Sequence, residues 1–217
     1  MSTKHSKPED SPRLACILCC EPPRLPQWEL PLELPPDATV ALLGWLVSPA
    51  TVDAGLPDGF ARLLADVLTQ HVRVSFFTGA PQRRGLLARW FSPSAAKPGA
   101  LVHTRDPRRV HALFASPAFD WSLRATAAFL SPPDAPAPAL AGENLENALA
   151  GRAYDGWRAR GVVGLVMPGV DGQVLGAYAF DTSAWTRWKD SLREAARRHD
   201  IDWRDVDEDA FVRALID

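Results

Sequence analysis

Proline limits this chain more than any other residue. Twenty prolines in 217 residues, against 14 glycines, is nearly twice average usage, and each one fixes φ and removes a backbone donor. The elements between them must be short, so long coiled coils and helical bundles are not expected. The prolines also cluster. Pro22, Pro23, Pro26, Pro31, Pro35 and Pro36 make residues 21–37 an extended arm, whose Trp28 is expected to be partly exposed. Pro132, Pro133, Pro136 and Pro138 make 131–138 a stiff linker. The expected organisation is a disordered tail at 1–13, an N-terminal α/β lobe at 14–130 carrying the arm, the linker, and a C-terminal lobe at 139–217.

Periodicity fills in the elements. Leu14–Cys20 and Thr39–Val47 are apolar on both alternating faces, as strands covered on both sides are. Asp58 is placed to cap a helix to about Gln70, with Phe60, Leu63, Leu64, Val67 and Leu68 on one face. Strands are expected at Val72–Thr78 and Leu101–Thr104, short helices at 82–91 and Pro107–Ser116, and a long half-buried strand at Phe119–Leu130. Beyond the linker, Leu140–Arg152 reads as helical. Val162–Met167 and Gln173–Phe180 flank Asp171-Gly172, a strong hairpin signal. A helix capped by Asp181 or Thr182 carries Trp185, Trp188, Leu192, Ala195 and Ala196 as its stripe. A short acidic link, Asp200–Asp205, leads to a last helix near Val206–Ile216. This order predicts an α+β or mixed α/β fold: a largely antiparallel sheet with helices packed on it, as one domain or two small lobes.

No window of about 18 apolar residues is present. The apolar run before Pro22 is too short for a signal h-region, and three cysteines within five positions form no disulfide framework. A cytoplasmic protein is expected. The 20 Arg against 4 Lys suggest a GC-rich bacterial genome.

Chemistry-bearing motifs are sparse. Cys16, Cys19 and Cys20 form C-x-x-C-C. On a strand Cys16 and Cys19 point to opposite faces, and no second Cys pair supplies further ligands, so no metal and no cofactor are assigned. His5, His71, His103, His111 and His199 show no ligand spacing, and neither a P-loop nor a G-x-S-x-G elbow occurs. His103, Asp106 and His111 are the densest group of catalytic residue types. They are the candidates for a hydrolase- or nuclease-type alternative, which an ordinary polar turn explains equally well.

The net charge of −2 hides a segregation. Residues 82–111 hold Arg83, Arg84, Arg89, Lys97, Arg105, Arg108 and Arg109 against Asp106, and 200–217 hold six Asp and Glu208 against Arg204 and Arg213, giving +6 and −5. The basic segment supports a second alternative, a nucleic-acid-binding accessory protein. The leading expectation is a non-catalytic bacterial protein-binding component: an adaptor, an accessory subunit or an immunity-type inhibitor of a toxin. Asp202, Trp203, Asp205, Asp207, Glu208 and Asp209, with Trp157 and Trp28, are the expected contacts for a partner with a basic surface. Homo-oligomerisation is compatible with the same pattern; membrane association is not expected.

Overall fold

The computed structural model describes residues 13–21, 38–48, 56–77, 101–116, 127–138, 154–168 and 174–216. In chain order these form β1 (Arg13–Cys20), β2 (Thr39–Ser48), α1 (Asp58–His71), β3 (Arg73–Phe77), β4 (Leu101–Thr104), α2 (Pro107–Phe114), β5 (Ala128–Ser131), α3 (Tyr154–Ala159), β6 (Gly164–Pro168), β7 (Val174–Ala179), α4 (Thr182–Arg198), β8 (Asp202–Val206) and α5 (Glu208–Ile216). The strands make one sheet in the order β4-β3-β5-β6-β7-β2-β1-β8. Every neighbouring pair is antiparallel except β1–β8. The class is α+β.

The strands that read as apolar on both faces lie where that pattern is needed. β2 is central, between β7 and β1, and Leu42 and Leu43 are buried on opposite sides of it. Cys16, Leu18 and Cys20 pack on one face of β1 with Phe211 of α5, while Ile17 and Cys19 pack on the other face with α1 and α4. The bend at Ala15 is a bulge opposite Val47 and Leu46 of β2.

The helices cover both faces. The α1, α2 and α4 stripes share one core with Val166, Leu175, Ala177 and Leu130 of the sheet. On the opposite face Trp157 of α3 packs on Phe129, and Phe211 of α5 packs beside Leu42. Each fully buried Leu or Phe contributes about 1.5–3 kcal/mol relative to exposure, so these stripes, more than helix propensity, fix the helices. β2-α1-β3 and β7-α4-β8 are both crossovers on the first face, and each joins strands running the same way.

Four expectations change. Of the long strand at 119–130 only residues 127–130 are described; the strand there begins at Ala128, and β5 is buried along its whole length, because it lies between β3 and β6 with a packed core on each face. The 132–138 segment turns at the end of β5 and docks on the start of β3: the Arg73 guanidinium donates to the carbonyls of Ala135 and, at 2.7 Å, Pro133. Strands from either side of it are neighbours in one sheet, so it does not divide the sheet. The acidic link is a strand, β8. Asp58 is the first residue of α1, with Pro57 in the capping position. The tail at 1–12, most of the arm, the 82–91 and 140–152 helices and Trp121 lie outside the described residues.

Candidate binding surface

The acidic C-terminal segment is built by the end of α4. After Arg198 the backbone turns through Asp200 at φ 56°. This left-handed conformation closes a helix and is tolerated best by Gly, Asn and Asp. Ile201 N donates back to the Ala196 carbonyl at 2.9 Å, and the chain leaves as β8, parallel to β1 with Cys16 opposite Asp202 and Cys20 opposite Val206.

Strand alternation then sorts the side chains. Trp203 and Asp205 face α4; Asp202, Arg204 and Val206 face α5. Asp205 is held by Lys189 Nζ at 3.0 Å and Arg193 Nη2 at 2.6 Å, and Trp203 Nε1 donates to it at 3.4 Å. Lys189 also donates to Glu21 Oε2 at 2.8 Å, which ties α4 to the end of β1. Partial burial opposes the charge on Asp205, but the hydrogen bonds from Lys189 and Arg193 outweigh it and hold the carboxyl below its ordinary range. Burial likewise opposes the Lys189 charge, and Glu21 and Asp205 outweigh it, raising its pKa. Both shifts favour the ionised pair. Asp202 is matched within its own strand by Arg204 Nε at 2.7 Å.

The expected contacts therefore divide. Asp202 and Asp205 are engaged inside the chain. Glu208 is buried at 7% exposure, and Trp157 at 3% packs edge-on against Phe129 with ring centroids 5.1 Å apart. Both were expected on a partner surface and neither can reach one. Trp203 is half-buried against the α1–α4 core. Asp200, Asp207 and Asp209 are exposed and have no ion pair among the described residues; Asp207 accepts the Ala210 amide at 2.8 Å and caps α5. Trp28, Arg83, Arg84 and Arg89 lie outside the described residues.

The alternative sites resolve differently. His103 Nδ1 pairs with Ser75 Oγ across β3–β4 at 2.8 Å, His111 Nε2 pairs with Asp58 Oδ1 at 2.8 Å, and Asp106 caps α2 by accepting the Arg108 amide at 2.9 Å. The bonds of the three lead to different partners. Partial burial, then the Arg73 charge, lowers the His103 pKa, so its imidazole is neutral at pH 7. Ser75–His103 has the composition of a nucleophile and base, yet Ser75 is fully buried and offers a substrate no access. Arg105, Arg108 and Arg109 are exposed around the start of α2, with Arg109 3.9 Å from Asp106.

Cys16, Cys19 and Cys20 are buried and form no disulfide among the described residues, and burial pushes the Cys19 thiol up to about 12. Among the described residues no three His, Cys, Asp or Glu side chains gather as metal ligands. A cleft of 240 Å³ between α1, α2 and α4, with Leu63, Asp66, Gln70, Arg198 and His199 on its walls, is below the usual range of about 300–1,000 Å³ for ligand pockets. No described helix is long and apolar enough to cross a membrane.

Sequence reasoning missed Lys189, Arg193 and Glu21. The first two lie four apart on the polar face of α4 and so project together, but only the crossover to β8 brings Asp205 beneath them. Comparison with protein-family models, curated proteins and solved structures finds no match.

Proposed function

We propose that this chain is a non-catalytic protein-binding component of a bacterial cytoplasm, an adaptor, accessory subunit or immunity-type inhibitor, that receives a basic partner on the surface formed by the α4–β8 turn and the start of α5. The observation that carries the reading is the set of exposed carboxylates with no ion pair among the described residues: Asp207 and Asp209 at the start of α5, and Asp200 at the other end of β8. Asp205 and Asp202, by contrast, are matched by cations of their own chain. Exposed, unmatched charge of one sign steers a partner of the opposite sign.

The test is neutralisation by asparagine at all three positions. Asparagine tolerates the φ 56° of position 200 and caps a helix as well as aspartate does, so the fold is retained while three charges go. Partners recovered from the native cell by the wild-type chain should be lost or weakened on the order of tenfold or more. Undiminished recovery would refute the assignment of this surface.

A second reading is favoured by the exposed Arg105, Arg108 and Arg109. Nucleic acid bound there would dissociate steeply with salt, with affinity at low salt falling on Arg108→Gln/Arg109→Gln. Binding that ignored both changes would exclude it.

A further inference from the structure

We propose that the outer edge of β8 pairs antiparallel with the same edge of a second copy of this chain, about a two-fold axis at Trp203. Among the described residues β8 has one strand neighbour, β1, and Asp202, Arg204 and Asp205 along it are exposed. Backbone groups directed away from β1 are a template for a further strand. The side chains determine which strand fits.

In an antiparallel pair, residues directly opposite each other project on the same face. A two-fold centred on Trp203 sets Asp202 against Arg204 of the second copy and Arg204 against its Asp202, both on the α5 side. On the α4 side it sets the two Trp203 rings side by side. A two-fold normal to the sheet keeps each side chain on its own face and so passes through a residue, and the other such centres fail on charge. Centring on Arg204 opposes two guanidiniums, and centring on Asp202 or Asp205 opposes two carboxylates. Asp-Trp-Arg is thus self-complementary in one register, as an isologous contact requires. In that register Asp205 falls opposite Ile201 and keeps Lys189 and Arg193 in its own chain. The contact closes on itself, so it gives a dimer with a continuous sheet and no filament.

Few residues are involved, far short of the roughly 1,600 Å² of a standard interface, so association is weak, in the range of about 10–100 µM. The proposal is tested separately from the basic-partner reading, because its variants are at Asp202 and Arg204 and leave Asp200, Asp207 and Asp209 unchanged.

Sedimentation velocity from about 1 µM to about 1 mM, with amide exchange of Asp202–Val206 over the same range, tests it. The wild-type chain should dimerise and the amides should slow with concentration. Asp202→Arg or Arg204→Asp alone turns both cross-strand pairs repulsive and should weaken the dimer by about tenfold or more. The double exchange Asp202→Arg/Arg204→Asp restores opposite charges and should restore the dimer. Both side chains changed are exposed, and thermal melts of each variant verify that it is folded. The proposal is overturned by a chain that stays monomeric throughout, by single variants that dimerise as the wild type does, or by a double exchange that fails to rescue. It is equally overturned if these amides become protected only on adding a capped octapeptide of alternating Lys and Val, which would make a foreign basic strand the occupant.

Discussion

Gly164 and Gly44 let aromatic rings lie directly on the sheet. A methyl group at Gly164 would press on the Tyr178 carbonyl oxygen and stand 2.7 Å from the Trp188 ring; at Gly44 it would stand 3.0 Å from the Phe211 ring. Backbone oxygen cannot yield, whereas the Phe211 ring of the short helix α5 can shift. Gly164→Ala should therefore cost about 3 kcal/mol or more and Gly44→Ala about 1–2, read from urea unfolding; equal costs would contradict this packing. Burial raises the Cys19 thiol from its ordinary 9.0 to about 12. Its contribution to stability is complete below pH 9 and is lost as pH rises toward 12, so the urea midpoint should fall across that window, and less so in Cys19→Ala. All three thiols should resist a disulfide reagent at pH 8 until the chain unfolds. The opposed directions of Cys16 and Cys19 were legible because strand alternation is local. The burial of Trp157 was not, since its neighbour Phe129 is 28 residues away and only the β5–β6 pairing brings them together.

α4, with a full stripe and a side-chain cap, lies where its sequence pattern places it. α4 starts at Thr182 with Asp181 accepting the Ser183 amide at 2.8 Å and the Ser183 hydroxyl at 2.8 Å, and these bonds hold the Asp181 carboxyl below its ordinary range. A lowered carboxylate stabilises above its ordinary pKa and ceases to do so as pH falls through the folded value. Asp181→Ala should cost about 1 kcal/mol at pH 7 and a diminishing amount below pH 4, by thermal unfolding. β8 escaped the sequence because an edge strand half clothed in charge lacks an apolar run: Asp202, Arg204 and Asp205 face water, and its partner β1 lies some 180 residues earlier. Its clamp is testable. Asp205→Ala removes both cations' acceptor, and amide exchange in 202–206 should quicken by about fivefold, as loss of a half-exposed ion pair worth about 1 kcal/mol implies. Unchanged exchange would show that the β1 ladder alone holds the strand.

At the scale of the whole molecule, the class was legible and the sheet order was not. Hairpin β6–β7 follows from Asp171-Gly172, but β2–β7 and β1–β8 join segments that no local signal relates. The same topology relocates the charge balance. The cations answering Asp205 come from α4 and Asp202 is answered by Arg204 of its own strand, while Asp200 before β8 and Asp207 and Asp209 after it have no ion pair among the described residues. A partner drawn there by charge should be released as salt rises from about 0.05 to about 0.5 M, since the screening length falls from more than 10 Å to less than 5 Å over that range. The most direct measurement of the central claim is hydrogen exchange of the chain with and without a partner captured from the native cell. The expected result is protection confined to residues 199–210, absent when Asp200, Asp207 and Asp209 are asparagine. Protection over residues 101–116 with 199–210 unaffected would contradict it.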